Sequence, residues 1–215
     1  MREPGHIEGS PVMSLSALTF DSMVCLACRG FTPGKLCVGC LRGLRPGPDQ
    51  LLNGGIRVRS AFLHEGPARL LVHNLKYRGI EPAGDFLAEA MAGLIPPAAV
   101  VVPVPRVVWR ELRYGIDPAV VLASKISRLT GSRMANPLVP PWLGMSQARV
   151  SRAGRRPPDF RSVSPLTGFV VLVDDVVTTG GTVLSAWRAL GGAPALVVSA
   201  TSVGGRLQVA TPAKN

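Results

Sequence analysis

Two adjacent carboxylates run into a Thr/Gly-rich turn at Asp174-Asp175-Val176-Val177-Thr178-Thr179-Gly180-Gly181-Thr182. An ionised carboxylate only accepts hydrogen bonds, so a neighbouring pair suits the hydroxyls of a vicinal diol, or alternatively a hard cation. The hydroxyls of Thr178, Thr179 and Thr182 stand beside backbone N–H groups left open where Gly180 and Gly181 lead into a helix. That combination makes an anion site. A diol acceptor next to a phosphate cradle describes a ribose 5-phosphate. A polar corner without a ligand would instead place two like charges together with nothing to offset their repulsion.

The four cysteines form two C-x2-C knuckles, Cys25/Cys28 and Cys37/Cys40, separated by eight residues. Two-residue spacing turns both thiolates of a knuckle toward one ion, and two knuckles complete a tetrahedral S4 shell for structural Zn²⁺. A redox dithiol is the other reading, but one knuckle would suffice for it, and neither opens a helix after a strand. With all four positions used by protein, the ion would hold a small module together and take no part in catalysis.

Cations surround these motifs. Lys76 and Arg78 close a predicted helix, where they either complement its dipole or contact a diphosphate. Arg106, Arg110 and Arg113 follow a predicted strand. Arg149, Arg152, Arg155, Arg156 and Arg161 fall within thirteen residues that hold one acid, Asp159. That run is either a solvated face or a set of phosphate contacts. Tyr114, Trp142 and Phe160 offer rings on which bases could stack. His6, His64 and His73 have no ligand spacing, and no residue stands out as a general base.

Alternating strands and helices must position these groups. The pattern predicts a strand over Arg57–Leu63 and helices over Pro67–Tyr77 and Pro82–Leu94. A buried strand over Ala98–Val104 comes next, then a helix capped by Asp117-Pro118 and stopped by Gly131. An irregular, Pro-bearing stretch covers 134–167. The continuous apolar run 169–173, a helix over Gly181–Leu190 and a strand over Ala195–Ala200 follow. Strands apolar at every residue belong to a parallel sheet covered on both faces, so the fold class is α/β with crossover helices. Open sheets of this kind bind ligands beyond the carboxyl ends of their strands, which puts Asp174 and Asp175 at the ligand crevice.

At 215 residues, one α/β domain and a small accessory module fill the chain. Apolar residues make up 47% and aromatics 5%, so the core is aliphatic and disorder of the whole chain is excluded. No apolar run reaches the length of a membrane span. The 24 basic residues, nearly all Arg, exceed the 13 acids to give a net charge of +11, which favours anionic partners carrying phosphate. No export signal is visible, so a reducing cytoplasmic setting is expected.

The stretch Val170–Thr182 resembles the signature of type I phosphoribosyltransferases at every position. With the cysteine knuckles ahead of it, the chain from about Met13 to Arg206 resembles the ComF family of competence-associated, phosphoribosyltransferase-like proteins. Phe62–Gly66, Leu75-Lys76-Tyr77-Arg78-Gly79, Val102-Pro103-Val104-Pro105, and Ser146-Gln147 followed by Arg155 agree with that pattern. Tyr114-Gly115-Ile116-Asp117-Pro118 departs from the Arg-Gly-Phe-Asn-Gln that the family usually carries there. The resemblance implies a type I phosphoribosyltransferase-like parallel sheet with flanking helices, plus an amino-terminal zinc module. It also implies that Asp174 and Asp175 bind the ribose hydroxyls of phosphoribosyl pyrophosphate (PRPP) and that Thr178–Thr182 hold its 5-phosphate. Mg²⁺ accompanies the pyrophosphate, for which Lys76, Arg78, Arg106, Arg110 and Arg113 are the candidate contacts.

The expected organisation is a disordered lead with a short apolar segment at 1–24, the zinc module at 25–45 and a linker from Arg42 to Gly55. A phosphoribosyltransferase-like domain at 56–206 and a tail at 207–215 complete it. Two functions are compatible with these motifs. One is a protein that binds PRPP or a ribose 5-phosphate nucleotide with Mg²⁺ and transfers the ribosyl group. The other is a non-enzymatic protein that holds single-stranded DNA during uptake or processing.

Overall fold

The structure is a computed structural model that describes residues 23–52, 55–106, 116–140, 158–192 and 195–204. Its main sheet is built around two strands buried on both faces, β7 (Val170–Val177) and β8 (Ala195–Ser202), which pair in parallel. The strand β2 (Arg57–Leu63) lies parallel to β8, and β3 (Val100–Pro103) lies parallel to β7. The two-residue β4 (Arg133–Met134) continues the parallel set beyond β3, while β1 (Asp49–Leu51) closes the other edge antiparallel to β2. The six-stranded order is β1-β2-β8-β7-β3-β4. The architecture is therefore mixed α/β with a mostly parallel sheet between helices, the class that the uninterrupted apolar runs demand.

Local signals explain the helices. In α2 (Gly66–Arg78) Pro67 sits in the first turn, where its missing N–H costs nothing, and the chain leaves through Gly79 in the left-handed region at φ 63°. The next helix, α3 (Glu81–Ala92), also carries Pro in its first turn. Asp117 caps α4 (Pro118–Thr130) by accepting from the N–H groups of Ala119 and Val120. With α5 (Gly181–Ala189) the sheet is sandwiched. On one face Leu71, Leu87, Met91, Leu122 and Ile126 of α2, α3 and α4 pack on Val171, Val173 and Val198; on the other, Val183 and Leu184 of α5 pack with Val102, Leu172 and Val197.

Four expectations need correction. The segment Arg42–Gly55 is not only a linker: its first residue ends the short helix α1 (Val38–Arg42), and its later part holds β1. Gly47 lets this segment approach β2 closely, since a Cβ there would lie 2.4 Å from the Ser60 carbonyl oxygen. The irregular stretch 134–167 contains an antiparallel pair, β5 (Leu138–Val139) and β6 (Arg161–Ser162). Phe160 is 4% exposed within the core of the α5 face, so it is a packing residue and not a base-stacking ring. Finally, β7 does not stop with the apolar run at Val173 but continues through Asp174 and Asp175 to Val177, so the acids lie within the carboxyl-terminal half of the strand.

Tyr114, Trp142, Arg110, Arg113, Arg149, Arg152, Arg155 and Arg156 fall outside the described residues, as do 1–22 and the tail. Among the described residues, no helix is long and apolar enough to cross a membrane.

Candidate functional site

The connection β3–α4–β4 moves toward one edge of the sheet with its helix on one face, and β7–α5–β8 moves toward the other edge with its helix on the opposite face. β3 and β7 are adjacent, so their carboxyl ends border the point where the sheet's winding reverses. A crevice opens at such a point in open α/β sheets. Arg106, just past β3, and Asp174 and Asp175, at the end of β7, meet there.

Asp175 is the more buried of the two acids, and the two carboxyls still interact with each other. Asp174 shares a depression with 176–183, the Thr/Gly turn and the first turn of α5. Gly180 caps that helix at φ 77°, and a Cβ on it would lie 2.2 Å from Leu52 Cδ2. Glycine is thus required twice at this position, once by the left-handed backbone and once by the buried Leu52 beside it. The first-turn N–H groups of α5 have no partner within the helix and face the depression together with the exposed Thr178, Thr179 and Thr182. Leu52 follows the edge strand β1, and nothing in the sequence signals its contact with Gly180.

The carboxyl of Asp174 accepts from the Asp175 N–H at 2.8 Å. Burial and then the charge of Asp175 push this carboxyl from its usual 3.8 up to about 8, with the Lys76 ammonium and the Asp175 N–H bond opposing the rise. Because the folded value lies above the unfolded one, the native chain holds a proton here that the unfolded chain has released. Stability should therefore fall as pH rises from about 4 to about 8 and level off above that. Asp174→Asn cannot ionise, so its stability relative to the wild type should grow across the same window. Denaturant midpoints measured in pH steps test this; parallel curves for the two proteins would show that the Asp174 carboxyl titrates normally.

Asp175 is 6% exposed and lies on the side of α2. Its Oδ2 accepts from Lys76 Nζ at 2.6 Å and from Arg106 Nη2 at 3.4 Å. One carboxylate is thus shared by two cations, so the Lys76–Asp175–Arg106 trio carries a net charge of +1 that can take an anion. The Thr201 hydroxyl donates to the Asp175 carbonyl and steadies the strand end. Arg78 is exposed and is not brought to this cluster, since side chains two residues apart on a helix diverge.

The four cysteine Sγ atoms lie within 4.8 Å of one another. Cys28 Sγ and Cys37 Sγ are 3.8 Å apart, the edge that a tetrahedral shell with Zn–S bonds of about 2.3 Å would have. Backbone N–H groups of Cys37, Cys40 and Gly30 donate to Cys25, Cys37 and Cys28 sulfurs respectively, which favours thiolates. Burial raises the Cys25 thiol, but N–H bonds from Cys37, Cys28 and Ala27 outweigh it and bring the group to about 6. Burial, bonds to the other three sulfurs and the charge on Cys25 push Cys40 up to about 12. Such a cluster holds its full negative charge only with a cation inside, so the donor set fits zinc.

The knuckles are not set apart from the sheet domain. Cys25, Leu26, Ala27 and Cys40 belong to the same core as α2 and α3, and the buried Asn74 of α2 donates to the carbonyls of Leu26 and Ala27 at 2.7 and 2.9 Å. Asn74 gave no signal in the sequence beyond being a polar residue on an apolar helix face.

No protein-family model matches the chain, and no curated protein matches it. Solved structures do. Purine phosphoribosyltransferase from Pyrococcus horikoshii is 15% identical over 60% of this chain and 77% of its own, with a TM-score of 0.37. Orotate phosphoribosyltransferase from Aeropyrum pernix is 16% identical over 77% of this chain and 79% of its own, at 0.38. UMP synthase from Leishmania donovani is 18% identical over 73% of this chain but only 28% of its own, at 0.34. With TM-scores this low, the reading of the site rests on the residues of this chain.

Proposed function

We propose that the chain is a phosphoribosyltransferase-like protein, similar to the ComF family, that binds PRPP or a ribose 5-phosphate nucleotide with Mg²⁺. The observation that supports it is the pairing of two subsites at one crevice: Asp174 with the Thr/Gly turn at 176–183, and the buried Lys76–Asp175–Arg106 cluster beside it. In this reading Thr178, Thr179, Gly180, Gly181 and Thr182 hold the 5-phosphate, and Asp174 and Asp175 accept from the ribose hydroxyls. Lys76 and Arg106 face the diphosphate. The donors around the crevice are carboxylate and hydroxyl oxygens, a set that fits a hard cation. Mg²⁺ would supply charge neutralisation of the diphosphate. The cysteine cluster carries Zn²⁺ in a structural role.

If the protein turns substrate over, a nucleophile forms a bond to C1 of the ribose as the C1–oxygen bond to pyrophosphate breaks. The electron pair leaves on the diphosphate, where Lys76 and Arg106 would stabilise it. A second reading, single-stranded DNA binding, is supported by the knuckle surface: Phe31 is 74% exposed beside Arg29, with Arg42 and Arg45 nearby in the chain and no acid from 22 to 48. A ring among cations suits stacked bases and phosphates.

Pyrophosphate release from PRPP over a panel of nitrogenous bases, run beside oligonucleotide binding at several salt concentrations, separates the two. Release with any acceptor supports the enzyme. Binding that weakens steeply with salt, without release, supports the DNA reading.

A further inference from the structure

The side chain of Asp117 does two things with its two oxygens. Oδ1 accepts from the N–H groups of Ala119 at 2.9 Å and Val120 at 3.4 Å, the ordinary work of a helix cap. Oδ2 accepts from the backbone N–H of Arg106 at 2.9 Å. Asp117 is 8% exposed, so both bonds are sheltered from water. Arg106 is the first residue past Pro105, at the carboxyl end of the sheet, and its guanidinium reaches Asp175 with its side chain 15% exposed. Arg106 follows β3 and Asp117 precedes α4, and this one carboxylate ties the end of the strand to the start of the helix.

We infer that Asp117 is a positioning residue of the diphosphate subsite: by holding the Arg106 backbone it aims the Arg106 guanidinium at the Lys76–Asp175 centre. The inference rests on the reading of Arg106 as a diphosphate contact. A cap needs only one acceptor, which Ser, Thr or Asn supplies as well as Asp. The second oxygen therefore has a use that capping does not explain. Without it, the N–H of Arg106 loses its anchor, and among the described residues the 3.4 Å contact to Asp175 is the tie left to hold the guanidinium.

The test compares wild type, Asp117→Asn and Asp117→Ser for binding of PRPP and of ribose 5-phosphate, both with Mg²⁺, by calorimetry. Asn can cap through its oxygen but turns an N–H₂ toward the Arg106 N–H, and Ser caps with a hydroxyl that has no second acceptor arm. Two variants are used so that failure of one to fold does not decide the matter. PRPP affinity should fall roughly tenfold, the size of a lost buried hydrogen bond to a positioned group, while ribose 5-phosphate affinity stays within about twofold. In an Arg106→Ala background, Asp117→Asn should cost nothing further for PRPP, because the two residues act as one unit.

Equal losses for both ligands, or an undiminished loss in the Arg106→Ala background, would overturn the positioning role while leaving the binding reading intact. Wild type that binds neither ligand would overturn the binding reading and this role with it.

Discussion

Zinc removal is expected to lower the free energy of unfolding by about 4 kcal/mol or more, the linkage value for a ligand present at roughly a thousand times its dissociation constant. The expectation follows from where the ligands sit. Cys25 and Cys40 are buried among the apolar side chains that also pack against α2 and α3, so the cysteine cluster and the sheet domain share a core. Without the ion, the cluster must either ionise thiols in apolar surroundings or protonate them and lose the N–H bonds that favour thiolates. The carbonyls of Leu26 and Ala27 that receive Asn74 depend on the knuckle's shape. Cys37→Ser should therefore lose the metal and shift the unfolding transition of the whole chain, not a separate early step. Lys76 lies on the same helix as Asn74, so diphosphate affinity should weaken too. Elemental analysis with denaturant unfolding before and after chelation checks this. A metal content well under about half an equivalent with reduced thiols, or an unchanged midpoint after chelation, would contradict it.

What could be read from the sequence depended on how local the signal was. The run Val170–Val173 is apolar at every position and could only be a strand covered on both faces; the knuckle spacing brings four sulfurs together without help from distant residues; Asp117-Pro118 announces a helix start. The strand Asp49–Leu51 was illegible, because three residues cannot display a period and Pro46, Gly47 and Pro48 ahead of it read as linker. Phe160 was misread for a similar reason: flanked by prolines and arginines, it looks exposed, whereas the pairing of β5 with β6 folds it under the sheet. The partition of the acids was hidden as well. Adjacency in sequence suggests one shared task; the two carboxyls do interact, but Asp174 also borders the Thr/Gly turn while Asp175 pairs with Lys76 and Arg106, residues from two other elements. Pairings of that kind come from the crossing of the sheet at β3 and β7, which no local pattern encodes.

If the crevice at the end of β7 binds a ribose 5-phosphate, Asp174→Asn is the variant that tests it most cleanly. Asp175→Asn would strand two cations in a buried site and confuse binding with folding. Burial and the charge of Asp175 push the Asp174 carboxyl up to about 8, so an uncharged amide of the same shape should leave the fold intact. What it removes is an ionisable acceptor beside the Thr/Gly turn. Calorimetric titration of PRPP with Mg²⁺, carried out just above pH 8, should show saturable binding to wild type. Affinity of Asp174→Asn should be lower by roughly 1–3 kcal/mol, the usual worth of a hydrogen bond to a charged group. Wild type that gives no binding at millimolar ligand, or a variant that binds as tightly as wild type, would contradict the ribose-phosphate site.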